Sequence, residues 1–284
     1  MLKYPSATFL ALTLAITYGI GLPIAAASHG LLRIDIPATL SGLALYVAIW
    51  GPALAAVVLS GLHSGRTGLR QLLGQLVNWR VGILWYLVAL LTPAAIAVAA
   101  LGLHAIVGGT LPRFPGPLPQ EFGQAGVPSV TIYLLLPVFF ILGSMGEEIG
   151  WRGYALPHLQ VMNSALTASI LVGVVWAAWH LPLFLTSGTT FSQIPFGWFV
   201  LSILGMSILL TWLYNNTNGS LLIATLFHAA LQATNVFLLS VATMDQRLYA
   251  LSVFITVVAA LLVVLLFGPV SLSRRHGRST VVEL

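Results

Sequence analysis

Runs of about twenty apolar residues follow one another along almost the whole chain, and a run of that length crosses a hydrocarbon core as a helix. The segments near 7–29, 38–62, 81–107, 129–155, 164–186, 195–214, 219–241 and 248–268 meet this rule, which predicts about eight transmembrane helices. Hydrocarbon offers the backbone no hydrogen-bond partners, so such segments must close their bonds within themselves. Composition excludes the soluble alternative: 58% of the 284 residues are hydrophobic and 6% are charged, against about 25% charged in a soluble domain. The predicted fold class is therefore all-α, a polytopic transmembrane helical bundle. It forms a single membrane-embedded unit over 1–284 in a multi-pass protein of the cell membrane, with the lipid bilayer as its partner.

The connections carry the remaining signals. Residues 63–80 place Arg66, Arg70 and Arg80 among Leu69, Leu72, Leu73, Leu76 and Val77 at helical spacing. That pattern predicts a short helix lying on the membrane surface, the alternative being a solvated loop. Residues 108–128 hold five prolines with several glycines and exclude a regular helix. Asn215-Asn216-Thr217-Asn218-Gly219 reads as a turn; its glycosylation-type triplet is an accident of so short a turn. Lys3, the apolar run Phe9–Ile24 and Ala25-Ala26-Ala27-Ser28 have the outline of a signal peptide. The run is long and further spans follow, so the reading is an uncleaved first helix.

Eight spans put both termini on one side with Lys3, Arg66, Arg70, Arg80, Arg152, Arg274, Arg275 and Arg278. The other side holds Arg33, Arg113 and Arg247, each near an acid (Asp35, Glu121, Asp245). The bias predicts cytoplasmic termini, with the basic tail 271–284 against anionic headgroups. Eleven Lys and Arg, spread along the chain for a net charge of +5, serve this purpose better than nucleic acid binding, and no nucleic acid partner is expected. Cysteine is absent, which removes disulfide and thiol chemistry.

Of six acidic residues, two are adjacent: Glu147 and Glu148, followed by Arg152. Ionisable groups inside a membrane are costly and usually face a cavity. Residues four apart are helical neighbours, so Glu148 can pair with Arg152, while Glu147 lies about 100° round the helix and is free to face a cavity. A helix end with a solvated salt bridge accounts for the same residues. His180 lies in an otherwise apolar span as Trp176-Ala177-Ala178-Trp179-His180-Leu181-Pro182. Neutral histidine enters lipid cheaply and can still accept a proton or bind metal, and Pro182 should kink or end the helix nearby. His228, Gln232 and Asn235 share one helix face; taken singly they read as interhelical glue.

Together, two glutamates, two histidines and an amide-bearing turn on three spans supply what peptide hydrolysis needs. These needs are a base for water, a group to hold that water, and donors for the oxyanion. A carboxylate with two histidines also has the composition of a three-ligand zinc site open to water. His29, His63, His104, His158 and His276 lie near predicted ends or connections and are assigned no role.

At these residues the chain resembles the CAAX-protease and bacteriocin-processing (CPBP, or Abi) intramembrane peptidases. The paired glutamates with a following arginine match Glu147, Glu148 and Arg152; the aromatic-x3-histidine motif matches Trp176 and His180, with Trp where Phe is usual. The last motif matches His228, with Gln232 where Asn is commonest and Asn235 as the other amide on that face. The resemblance covers about 130–240. It implies a cytoplasm-facing catalytic cavity and cleavage of membrane-associated proteins or peptides, of CAAX type or bacteriocin type. Glu147 becomes the general base or a metal ligand, and His180 holds the same water or metal. Glu148, tied to Arg152, tunes Glu147 or acts as base if Glu147 binds metal. His228 and Gln232 stabilise the oxyanion; if a divalent metal, zinc first, is used, its ligands are Glu147, His180 and His228. A non-proteolytic peptide-binding immunity or scaffold protein, and a proton-coupled transporter, are the competing readings. Counting ~1.5 Å per residue from the cytoplasmic ends puts Glu147 roughly 14 Å and His180 roughly 24 Å deep. Tilt, breaks at Pro137 and Pro182, or a fifth helix beginning in the cytoplasm must bring them level.

Overall fold

The computed structural model describes residues 5–34, 36–111, 129–237 and 245–274. Among these the chain is helical, with no strand. The helices are α1 (Pro5–Ser28), α2 (Ala38–Ile49), α3 (Gly51–Gly74), α4 (Ile83–Ile106), α5 (Ser129–Gly150), α6 (Leu156–Gln160), α7 (Ala165–Trp179), α8 (Leu181–Leu185), α9 (Phe196–Asn216), α10 (Leu221–Phe237) and α11 (Gln246–Phe267). The predicted Pro-rich connection 112–128, Lys3, Asp35, residues 238–241 of the seventh predicted span, and the basic tail from Arg275 onward lie outside the described residues.

Seven of the described helical segments are long and apolar enough to cross a membrane, and α10 is a shorter apolar helix. The chain is a multi-pass membrane protein built as a helical bundle. Helix α5 sits at its centre, packed on α3 and α10; α9 packs between α7 and α11, and α4 lies against α10 and α11. Large apolar side chains such as Leu84, Leu91, Leu134 and Leu265 point outward. In water these would be a liability, whereas in lipid an apolar exterior is the expected surface.

The segment predicted as a surface helix is helical, but it is not a separate element. Helix α3 runs on through it to Gly74 and breaks at Gly65, where φ is +56° and ψ −139°. That backbone conformation is open essentially to glycine. Beyond the break the chain folds back, so that Gly68 approaches the Ser60 carbonyl; Leu72 is buried while Arg66 and Arg70 stay exposed.

A polar clasp closes this end of the bundle. Tyr214 donates to Gln75 Oε1 at 2.7 Å, Ser220 to the Asn78 carbonyl at 2.7 Å, and Asn78 to the Asn218 carbonyl at 3.0 Å. Asn215 and Asn216 donate to the Ser271 and Leu272 carbonyls, each at 2.8 Å. Both amides of the glycosylation-type triplet are thus committed to the fold.

One expectation needs correction. Arg152 was counted with the surface cations of the inner side; it is fully buried. Its charge is held inside the bundle, and the helical path does not end there. The helical path continues through a π-helical turn (Trp151–Ala155) into α6 and stops only at Gln160. This resolves the depth mismatch. Glu147 lies about 20 Å from the Gln160 end of its helical run, and His180 about 22 Å from the Ala165 end of its own.

Candidate active site

The site is assembled from α5, the α7–α8 junction and α10. Helix α5 brings Glu147 and Glu148 to the bundle centre because Gly150 lets it lie directly on α3, where a Cβ would overlap Pro52. The π-helical turn that follows admits one extra residue per turn, and such turns recur at functional sites. Helix α7 ends at Trp179, with His180 as its C-cap and Pro182 in the first turn of α8. The predicted break therefore falls at His180.

The two glutamates have different surroundings. Glu148 is fully buried, and its Oε1 takes the Arg152 guanidinium at 3.2 Å and His228 Nδ1 at 2.8 Å. The pairing expected from helical spacing is present, and α10 adds a second cationic partner or donor. Arg152 also donates to Ser207 Oγ at 3.3 Å, and Ser207 donates to the Ser169 carbonyl at 2.7 Å. A buried ion pair holds only if its remaining donors and acceptors are met, and these serines contribute to that. Glu147 makes no ion pair among the described residues. Its Oε2 accepts the Trp176 indole N–H at 2.6 Å, and Oε1 makes no hydrogen bond to a described residue.

His180 Nδ1 lies 2.8 Å from the Trp176 carbonyl. A carbonyl only accepts, so Nδ1 carries the proton there, and in the neutral ring Nε2 is left as a base. The rings of His180 and His228 lie 6.2 and 5.4 Å from that of Trp176. Glu147 and His180 are thus both anchored on one residue, one by its indole and one by its backbone. Gln232 Nε2 stands 3.2 Å from His228 Nε2 and donates to Ser144 Oγ at 3.3 Å. Its longer side chain reaches the imidazole, whereas Asn235 has no hydrogen-bond partner among the described residues.

The predicted metal set is Glu147, His180 and His228. Among the described residues no three His, Asp or Glu side chains converge as metal ligands. Both ring nitrogens of His228 are engaged, by Glu148 and by Gln232. Glu147 and His180 alone fall short of the three protein ligands of a catalytic zinc, so the arrangement does not fit that group.

Sequence reading missed Ser144, Ser169 and Ser207, and it gave Trp176 no contact with Glu147. Serines are frequent in membrane helices and nothing in their spacing marks these three. Trp176 stood in a recognised motif, and its N–H, which has to find an acceptor when buried, was the available signal. His104, placed near a helix end, is 1% exposed.

Residues 129–234 match the family model described as type II CAAX prenyl endopeptidase Rce1-like. The chain is 35% identical over 181 residues to CAAX prenyl protease 2 of Methanococcus maripaludis, covering 62% of this chain and 63% of that protein. It is 29% identical over 123 residues to lysostaphin resistance protein A of Staphylococcus haemolyticus, covering 43% of this chain and 31% of that protein. The chain thus spans less than two thirds of either relative. The matched segment begins with α5 and ends within α10, so it contains every residue of the site just described. Through it, this chain is similar to the type II CAAX prenyl endopeptidase Rce1-like family.

Proposed function

We propose that the chain is an intramembrane endopeptidase that hydrolyses peptide bonds of membrane-associated proteins or peptides, prenylated CAAX-type termini first among them. The observation that carries this reading is the anchoring of Glu147 and His180 on Trp176, with Oε1 of one and Nε2 of the other uncommitted among the described residues. Water held between two such acceptors loses a proton to Glu147 as its oxygen adds to the scissile carbonyl. Gln232 stands as the donor for the oxyanion, beside the His228 imidazole, whose Nδ1 faces Glu148 and whose Nε2 accepts from Gln232. The carbon–nitrogen bond then breaks, and Glu147 returns the proton to the leaving amine. Glu148 stays with Arg152 and holds His228 in place. The cations Arg66, Arg70, Arg80 and Arg274 are exposed, and the end of the bundle that the clasp closes is read as cytoplasmic, with both termini there.

The test is cleavage of a farnesylated CAAX-type peptide by the purified chain in liposomes, with products identified by mass spectrometry. Glu147→Ala and His180→Ala are expected to abolish cleavage while leaving the protein inserted and folded, its stability lowered by no more than about 2 kcal/mol. Cleavage by either variant at the wild-type rate, or none by the wild type, overturns the reading. One zinc ion per chain after mild purification, lost together with activity on chelation, would overturn water activation by Glu147 and His180 alone.

A further inference from the structure

Trp176 is 1% exposed and touches three members of the site, Glu147, Arg152 and His228. Its indole N–H reaches Glu147, its face lies under the Arg152 guanidinium at 4.5 Å, and its ring makes a T-shaped contact with that of His228 at an interplanar angle of 77°. We propose that the Trp176 indole N–H is a positioning group for hydrolysis, holding Glu147 by one carboxylate oxygen so that the other is presented to water. The proposal rests on the endopeptidase reading and adds to it the residue that orients the base.

A glutamate side chain has three rotatable bonds, and its carboxylate can present either oxygen. One short bond at 2.6 Å selects a single orientation. The indole nitrogen is a donor only, so it always places an acceptor oxygen of Glu147 against itself. The indole cannot follow a wandering carboxylate, because its plane is clamped between other groups. Arg152 lies over its face and is itself held by Glu148 and Ser207. His228, held by Glu148, packs against it in a T-shaped contact. The ion network thus fixes the indole, and the indole fixes the base.

The competing account is that Trp176 merely fills space. Phenylalanine would fill most of that space, keep the ring face beneath Arg152 and keep the backbone carbonyl that orients His180. It lacks only the N–H. Trp176→Phe therefore isolates the proposed function.

In liposomes with the farnesylated peptide, Trp176→Phe is expected to lower kcat about ten- to a hundredfold, the effect of a lost hydrogen bond to a charged group, and to leave KM within about twofold. An unchanged kcat, or a loss lying wholly in KM, overturns the proposal. A second measurement does not depend on cleavage. In the indole N–H spectrum of the eight tryptophans, Glu147→Ala is expected to move one strongly downfield resonance upfield, and Trp176→Phe to remove that same resonance. If Trp176→Phe fails to fold, the Glu147→Ala spectrum decides alone, and a spectrum in which no indole resonance moves overturns the proposal. Absence of cleavage by the wild type would strike the endopeptidase reading, while the spectrum would still judge the Trp176–Glu147 bond.

Discussion

His228 Nδ1 lies 2.8 Å from Glu148 Oε1, the same oxygen that receives the Arg152 guanidinium. One carboxylate thereby joins α10 to α5 across eighty residues of sequence. Removing it strands a fully buried guanidinium, and breaking a buried pair from one side costs about 3–5 kcal/mol. Glu148→Ala is expected to be destabilised by about that much, measured by thermal or denaturant unfolding in detergent. Glu147→Ala, which strands only an indole N–H, should lose roughly 1–2 kcal/mol at most. Equal unfolding of the two variants would show that the adjacent glutamates do not divide the structural and chemical roles in this way.

The oxyanion donors divide similarly. Gln232 touches His228 and Ser144, while Asn235 touches no hydrogen-bonding group among the described residues. Gln232→Ala is expected to lower kcat on the farnesylated peptide by about 10²–10³, the usual loss for one oxyanion donor. Asn235→Ala should stay within about twofold of wild type. The opposite ranking would move the role to Asn235.

Gly65 makes a prediction about folding rather than chemistry. At φ +56° and ψ −139° a side chain is strained by roughly 1–3 kcal/mol. Gly65→Ala is expected to lower the unfolding midpoint accordingly and to open the fold-back at Gly68 to limited proteolysis. A variant as stable and as resistant as the wild type would show that the bend is not set by this residue.

Orientation can be read directly because the chain has no cysteine of its own. A single cysteine at Leu31, which is 78% exposed, is expected to react with a membrane-impermeant maleimide on intact cells. One at Arg70, exposed at the opposite end of the bundle, should react only after permeabilisation. Reversed labelling would invert the topology and put the clasped end outside.

The elements that follow from local rules were legible in the sequence. Apolar run length located the spans, the four-residue helical spacing gave the Glu148–Arg152 pair, and the missing amide hydrogen of Pro182 marked the end of α7 at His180. What could not be read depends on how helices dock. Helical periodicity says which residues share a face but not which face of another helix they meet, so His228 on Glu148, Trp176 on Glu147 and Ser207 on Arg152 had no signal in spacing. The fourth span, drawn to 155, stops five residues short of Gln160, where the helical path ends. Arg152 was counted among the surface cations because only docking of the helices shows its burial beside Glu148. The fold-back at Gly65 was hidden because a lone glycine is common in membrane helices.

Trp179 donates its indole N–H to Thr17 Oγ1 at 2.7 Å, and Thr17 passes its own proton to the Ala48 carbonyl at 3.1 Å. The residue that immediately precedes His180 is therefore moored to the first two helices, which lie outside the stretch shared with the Rce1-like family. A fragment beginning at α5 would leave that indole with no acceptor in hydrocarbon and the His180 junction without its mooring. The amino-terminal helices belong to the working machine, and shortening the chain to its recognisable half would dismantle the part it was meant to isolate.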